Sequence, residues 1–370
     1  MTYKKAASLP KTKFAGKRRF EKLKKNLFWS LLFPILMIIL ANVLAGSVGE
    51  PLFYNQQYIF SYLKGVLLCL IACLALNTNL NSGRMDFSLG ATGILGTLLA
   101  FKILPSVSTL GDLGLFIVLT MLFAAILGLI GGIVYILLKI PPIVTSMGMC
   151  LIYEGIAKII VGDNTKIQYK QSLLFTRFLD NPIYCISILV IVMIIMACAL
   201  CYTKYGYDKL ALVYDQKISV DTGLKEVRSC IASYIIAGAL IGLWTVLNST
   251  SIGGTLDVKI ELGSSTDIFK NFLPIFIGGI LAKYSNQIIG LTLAIFSTQL
   301  VFTLGMEPLV EAHVLTNEVR ELIRGFSVFA VLVYMVDKDR FLNWLKMQRY
   351  IWREKRLKPE IPQPQVNIEE

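Results

Sequence analysis

Arg84, Met85, Asp86, Phe87, Ser88, Leu89 and Gly90 set a carboxylate, a hydroxyl and a small residue between two apolar runs. A carboxylate in such a place is costly in lipid, so it must face protein or a water-filled path. Two roles are open to Asp86. With Ser88 it can hold the hydroxyls of a sugar-like solute, or it can pair with Arg84 and cap the helix that follows. Asn248, Ser249 and Thr250 form a second polar cluster at the end of a later apolar run, and the same path is assigned to them. Glu154 and Lys158, four apart on one predicted helix, are expected to neutralise each other.

Catalytic chemistry has little to work with here. His313 is the sole histidine, which excludes a His-based zinc site and argues against a His-dependent acid/base centre. The acids form no cluster of the kind a membrane-embedded transferase needs. No G-x-x-x-x-G-K-[ST] loop occurs, so if ATP drives this protein another chain hydrolyses it. Cys198 and Cys201 have C-x-x-C spacing, but they sit in an apolar run without a second thiol pair and read as small buried hydrophobes. The chain is therefore expected to be a non-enzyme that holds neither metal nor cofactor.

The elements that position these residues are legible in the hydropathy. Hydrophobic residues make up 55% of the 370-residue chain and charged residues 16%, and the apolar blocks approach the ~20 residues that cross ~30 Å of hydrocarbon. This predicts an all-α polytopic membrane protein. The spans fall at 27–47, 58–77, 86–104, 113–138, 141–161, 183–203, 230–250, 268–282, 286–305 and 320–336, about ten helices, with Pro274 inside the short eighth. Small residues at helix-contact spacing recur, namely Gly128 with Gly132, Gly238 with Gly242, and Gly90, Gly93 and Gly96.

Basic residues orient the bundle. Lys4, Lys5, Lys11, Lys13, Lys17, Arg18, Arg19, Lys22, Lys24 and Lys25 precede the first span, and Lys338, Arg340, Lys346, Arg349, Arg353, Lys355, Arg356 and Lys358 follow the last. Both termini are thus expected in the cytoplasm, which requires an even number of crossings. The connection 306–319, with Glu307, Glu311 and Glu318 but no Lys or Arg, then lies outside. The net charge of +12 resides in these tails rather than on a folded basic face, which argues against nucleic acid as a partner. The organisation expected is a basic tail over 1–26, a membrane domain over 27–336 and a C-terminal tail over 337–370, both tails cytoplasmic. Within the membrane domain the hydrophilic stretch 204–229 interleaves Tyr205, Tyr207, Leu210, Leu212 and Val213 with charges, the pattern of a short helix that docks in a partner's groove.

From about residue 60 to 340 the chain resembles the permease subunits of bacterial ABC importers of the ribose and galactoside type. Arg84 to Gly90 stand where that family has Gly-Ile-Asp-Leu-Ser-Val-Gly, and Ser146, Met147, Gly148 and Met149, with Glu154 and Gly155, stand at its Thr-Leu-Gly-Met and Arg-Gly. Gly206, Ala211 and Gly223 keep the spacing of its cytoplasmic loop, and Arg324, Gly325 and Asp337 bracket the last span. The chain departs from the pattern at Arg84, Glu154, Tyr207, Lys217, Ile218, Lys270, Asn271, Lys283 and Tyr284.

The resemblance implies a bacterial plasma-membrane permease that forms the path for a small polar solute, a monosaccharide above all, with nucleosides and branched-chain amino acids as alternatives. It implies partners as well: ABC ATPase subunits carrying the ATP and Mg, a second permease chain, either a copy or a different one, and an extracytoplasmic solute-binding protein, all in membrane lipid. By the same resemblance, Gly206, Ala211, Asp215, Gly223 and Leu224 belong to the segment that couples to the ATPase. The rival from another class is a transporter driven by an ion gradient, which would show repeated halves or broken helices in matching positions.

Overall fold

The computed structural model describes residues 13–335, apart from 50, 54, 81, 163–165, 169–174 and 176, together with residue 347. Residues 1–12 of the basic tail, and the C-terminal tail except Met347, lie outside the described residues. The chain divides into two units, Met1–Arg320 and Glu321–Glu370.

In the first unit α1 (Lys13–Gly46), α2 (Gln56–Leu80), α3 (Leu89–Ile103), α4 (Leu110–Leu138) and α5 (Pro142–Val161) follow one another. After β1 (Lys166–Gln168) come α6 (Pro182–Cys201), α7 (Lys204–Tyr214), α8 (Gln216–Asp221) and α9 (Glu226–Ser251). Then follow β2 (Thr255–Asp257), α10 (Gly263–Phe269), α11 (Phe272–Leu281), α12 (Gln287–Gln299) with a π-turn over Leu300–Gly305, and α13 (Glu307–Glu311). In the second unit residues 321–335 are helical.

The boundaries have local causes. Thr109 and Asp112 form a reciprocal capping box at the start of α4, and the Asn181 side chain accepts from Ile183 N ahead of Pro182 at α6. Pro142 opens α5, where its missing N–H costs nothing. β1 and β2 pair antiparallel, Lys166 opposite Asp257.

Among the described residues seven helices are long and apolar enough to cross a membrane: 26–46, 56–80, 110–138, 142–161, 182–201, 226–251 and 287–311. The protein is a polytopic, mainly helical membrane protein. The other three expected spans look different. Leu89–Ile103 is a shorter apolar helix, the expected span 268–282 is split between α10 and α11 at Lys270 and Asn271, and 320–335 is helical up to the edge of the described residues.

α9 is the hub, packed against α4, α2 and α3. Where α4 and α9 cross, a Cβ on Gly128 would stand 2.4 Å from Tyr234 O and one on Gly238 would stand 2.3 Å from Ala124 O, so only glycine lets the backbones meet. α5 is built inside out relative to a soluble helix. Thr145, Ser146, Cys150, Tyr153 and Glu154 are buried, while Val144, Met147, Leu151, Ile152, Ile156 and Ile159 face outward. Cys198 and Cys201 also lie on an outward face rather than in the core expected of them, because they fall on the exposed side of α6.

Candidate functional site

The connection between α2 and α3 is a buried polar knot. Asp86 Oδ1 accepts from Ser88 N at 2.9 Å and Ser88 Oγ at 2.6 Å, and Oδ2 accepts from Asn79 Nδ2 at 3.3 Å. The two-residue reach back from Ser88 N is an Asx-turn that leads the chain into α3. Arg84 turns the other way: Nη2 meets Glu226 Oε1 at 2.9 Å, and the guanidinium lies 6.0 Å from the Tyr135 ring centroid. Arg84 and Asp86 are both buried. Among the described residues two polar atoms of the knot have no hydrogen-bond partner, Asn79 Oδ1 and Arg84 Nη1.

The knot is anchored to the broken helix. Ser265 Oγ donates to Phe87 O at 2.8 Å and Ser146 Oγ to Met85 O at 3.3 Å. Glu154, only 1% exposed, accepts from Leu262 N and Ser264 N, each at 2.9 Å. Its carboxylate therefore caps α10, where the helix dipole and orphan N–H groups favour a negative charge. Glu261 and Leu262 enter α10 at φ +59° and +63°, a left-handed pair that costs about 1–2 kcal/mol per residue without such support. Sequence spacing predicted Lys158 as the partner of Glu154; the oxygens go to backbone N–H groups of a segment distant in sequence instead.

The stretch 204–229 is two short helices closed by a left-handed turn. Thr203 caps α7 through Gly206 N, and Asp215 caps α8 through Ile218 N at 2.9 Å. Gly223, at φ +95°, ends α8 with Gly223 N→Val220 O and Leu224 N→Ser219 O bonds, a Schellman motif. Gly206 is needed for contact: a Cβ there would stand 2.0 Å from Leu200 O of α6. Two hooks tie this segment to the knot. Lys209 Nζ donates to Asn77 O at 3.1 Å, near the end of α2, and Gln216 Nε2 donates at 2.7 Å to the Glu226 oxygen that Arg84 holds. Burial pushes the Lys209 ammonium down to about 8.

The sequence profile described as "Branched-chain amino acid transport system / permease component" matches residues 58–332. The chain belongs to this permease family. Among curated proteins, the autoinducer 2 import system permease protein LsrD of Escherichia coli (strain SMS-3-5 / SECEC) is 23% identical over 279 residues, covering 72% of this chain and 81% of that protein. No solved structure matches the chain significantly.

Within this permease the sequence-predicted residues fall into separate groups. Asp86 and Ser88 bond each other in the knot, and Gly206, Ala211, Asp215, Gly223 and Leu224 belong to the α7–α8 segment and its closing turn. Asn248, Ser249 and Thr250 close α9 about 33 Å beyond Glu226 at the α-helical rise, so they do not meet Asp86. Ser249 Oγ and Thr250 Oγ1 bond carbonyls of their own helix, at Thr245 and Leu247. Sequence reasoning missed Asn77, Asn79, Lys209 and Glu226. The signal available was a pair of asparagines at the end of an otherwise apolar helix.

Proposed function

We propose that this permease is the path-forming subunit of an ATP-driven importer of a small hydroxylated solute of the monosaccharide type. In this reading the chain crosses the bacterial plasma membrane ten times with both termini in the cytoplasm. The carrying observation is the pair of hooks, Lys209 to Asn77 and Gln216 through Glu226 to Arg84, which join the α7–α8 segment to the knot holding Asp86. A segment that rides on a partner ATPase through α7, with Gly206, Ala211, Asp215, Gly223 and Leu224, would move the α2–α3 connection as ATP is bound and hydrolysed with Mg on that ATPase. Asp86, Ser88, Asn79 and Arg84 at one end, and Asn248, Ser249 and Thr250 at the other, are the polar groups a solute would pass. The import activity named for the Escherichia coli relative supports uptake as the direction. The outward apolar face of α5 is the surface offered to a second permease chain, and a solute-binding protein delivers the ligand from outside.

Purification of the tagged chain from its native membrane in mild detergent, with mass spectrometry of what accompanies it, tests the reading. An ABC-type ATPase in the eluate is expected. Uptake of labelled monosaccharides, branched-chain amino acids and nucleosides then identifies the solute. Transport that persists after ATP depletion while an ion gradient remains would overturn the ATP-driven reading in favour of a gradient-driven one.

A further inference from the structure

A cavity of about 540 Å³ opens between the start of α7, the turn after α8 and the first turns of α9, a volume typical of small-ligand sites. Its wall includes Lys204, Asp208, Leu224, Lys225, Arg228 and Ser229. Lys204, Lys225 and Arg228 are exposed and, among the described residues, no ion pair involves them. One acid, Asp208, faces three cations there, so the wall is net positive.

Ser229 adds an independent sign of a ligand. It is 7% exposed, and among the described residues its Oγ has no hydrogen-bond partner. A buried hydroxyl left so is costly, and the neighbouring Tyr205 hydroxyl does not relieve it, since it is spent on Ser233 Oγ at 2.9 Å. Three cations and a buried hydroxyl donor around one cavity are the donor set of a phosphate site.

We propose that this cavity binds the phosphate of an anionic lipid headgroup. Glu226 begins a helix able to cross the membrane, so the cavity sits at headgroup depth, and exposed Tyr202 and Tyr207 nearby fit the aromatic band of that interface. Asp208 accepts the hydroxyls of a glycerol headgroup, which favours phosphatidylglycerol over headgroups without donors. A lipid held there braces α7 against α9. Leu224 of this wall also belongs to the segment read as riding on the ATPase; the binding is tested on the chain alone, so its outcome is separate from that reading.

The test is native mass spectrometry of the delipidated full chain in detergent, titrated with dihexanoyl-phosphatidylglycerol, dihexanoyl-phosphatidylcholine and inorganic phosphate. The phosphatidylglycerol adduct is expected to dominate. Lys225→Gln combined with Arg228→Gln should weaken it about tenfold or more, and Ser229→Ala several-fold, as loss of charge-assisted hydrogen bonds requires. Melting temperatures within a few degrees of the parent show that the variants are folded; Ser229→Ala, one atom smaller, provides a second check that leaves the surface charge untouched. Inorganic phosphate that binds as tightly and weakens in the same variants keeps the phosphate site but makes its source soluble. Equal lipid binding by parent and all variants overturns the proposal.

Discussion

Among the described residues four buried acidic or basic side chains, Arg84, Asp86, Glu154 and Lys209, organise the permease at the residue scale. Three are well matched: Arg84 to Glu226, Asp86 to the Ser88 and Asn79 donors, and Glu154 to two backbone N–H groups. Lys209 is the exception, with a carbonyl rather than a carboxylate as acceptor, and so its ammonium is held near 8, below the ordinary lysine value. A lowered folded value means that the unfolded chain holds the proton more tightly. The burial penalty is therefore full below about pH 8 and is relieved as pH rises from there to about 10.5, where the unfolded lysine also loses its proton. At about 1.4 kcal/mol per pKa unit this amounts to about 3 kcal/mol. Melting of Lys209→Met against the parent should show a gap, variant minus parent, that shrinks steadily between pH 8 and pH 10.5. A gap that stays flat over that window would show that the lysine is not charged and buried in the folded chain.

Two glycines of the α7–α8 segment act at the scale of elements, for different reasons. Gly206 permits contact between α7 and the end of α6, whereas Gly223 supplies a left-handed φ where space is open. Gly206→Ala must push α7 off Leu200, and overpacking of this kind costs typically about 1–3 kcal/mol. Gly223→Ala meets no atom and loses only the conformational preference, about 1–2 kcal/mol. Gly206→Ala should therefore lower the melting temperature more than Gly223→Ala, and at matched expression it should cut uptake the more severely. Equal loss in both variants would mean that the approach of α7 to α6 does not matter.

Charge at the chain ends bears on the topology proposed for the whole molecule. If both basic tails lie on the cytoplasmic side, as proposed, the number of crossings is even, and the short α3, the broken α10–α11 pair and the helical 320–335 would together raise the seven long apolar helices to ten. Reporters fused at the N-terminus and at the C-terminus should both be active in the cytoplasm. Activity of one inside and the other outside would require an odd count and a different assignment of α3 or α10–α11. The ends of the 306–319 connection are fastened as well, with Tyr58 OH donating to Glu311 at 2.6 Å and Arg320 bonding Glu307.

What the sequence determined by itself was set by short-range physics. Apolar length marks spans, proline and capping residues mark helix starts at α4, α5 and α6, and Gly206 and Gly223 mark a folded loop. The glycine pairs likewise marked close helix contacts, because close backbone approach needs absent side chains whatever the partner, and the fold joins them at the α4–α9 crossing. Only the tertiary structure decided which buried charge meets which partner. Arg84 passes over its neighbour Asp86 for Glu226, and Glu154 passes over Lys158 for the N-terminus of α10. Spacing of four on a helix brings two side chains near each other, but a buried carboxylate goes where most donors converge, and those donors come from segments that only folding brings together.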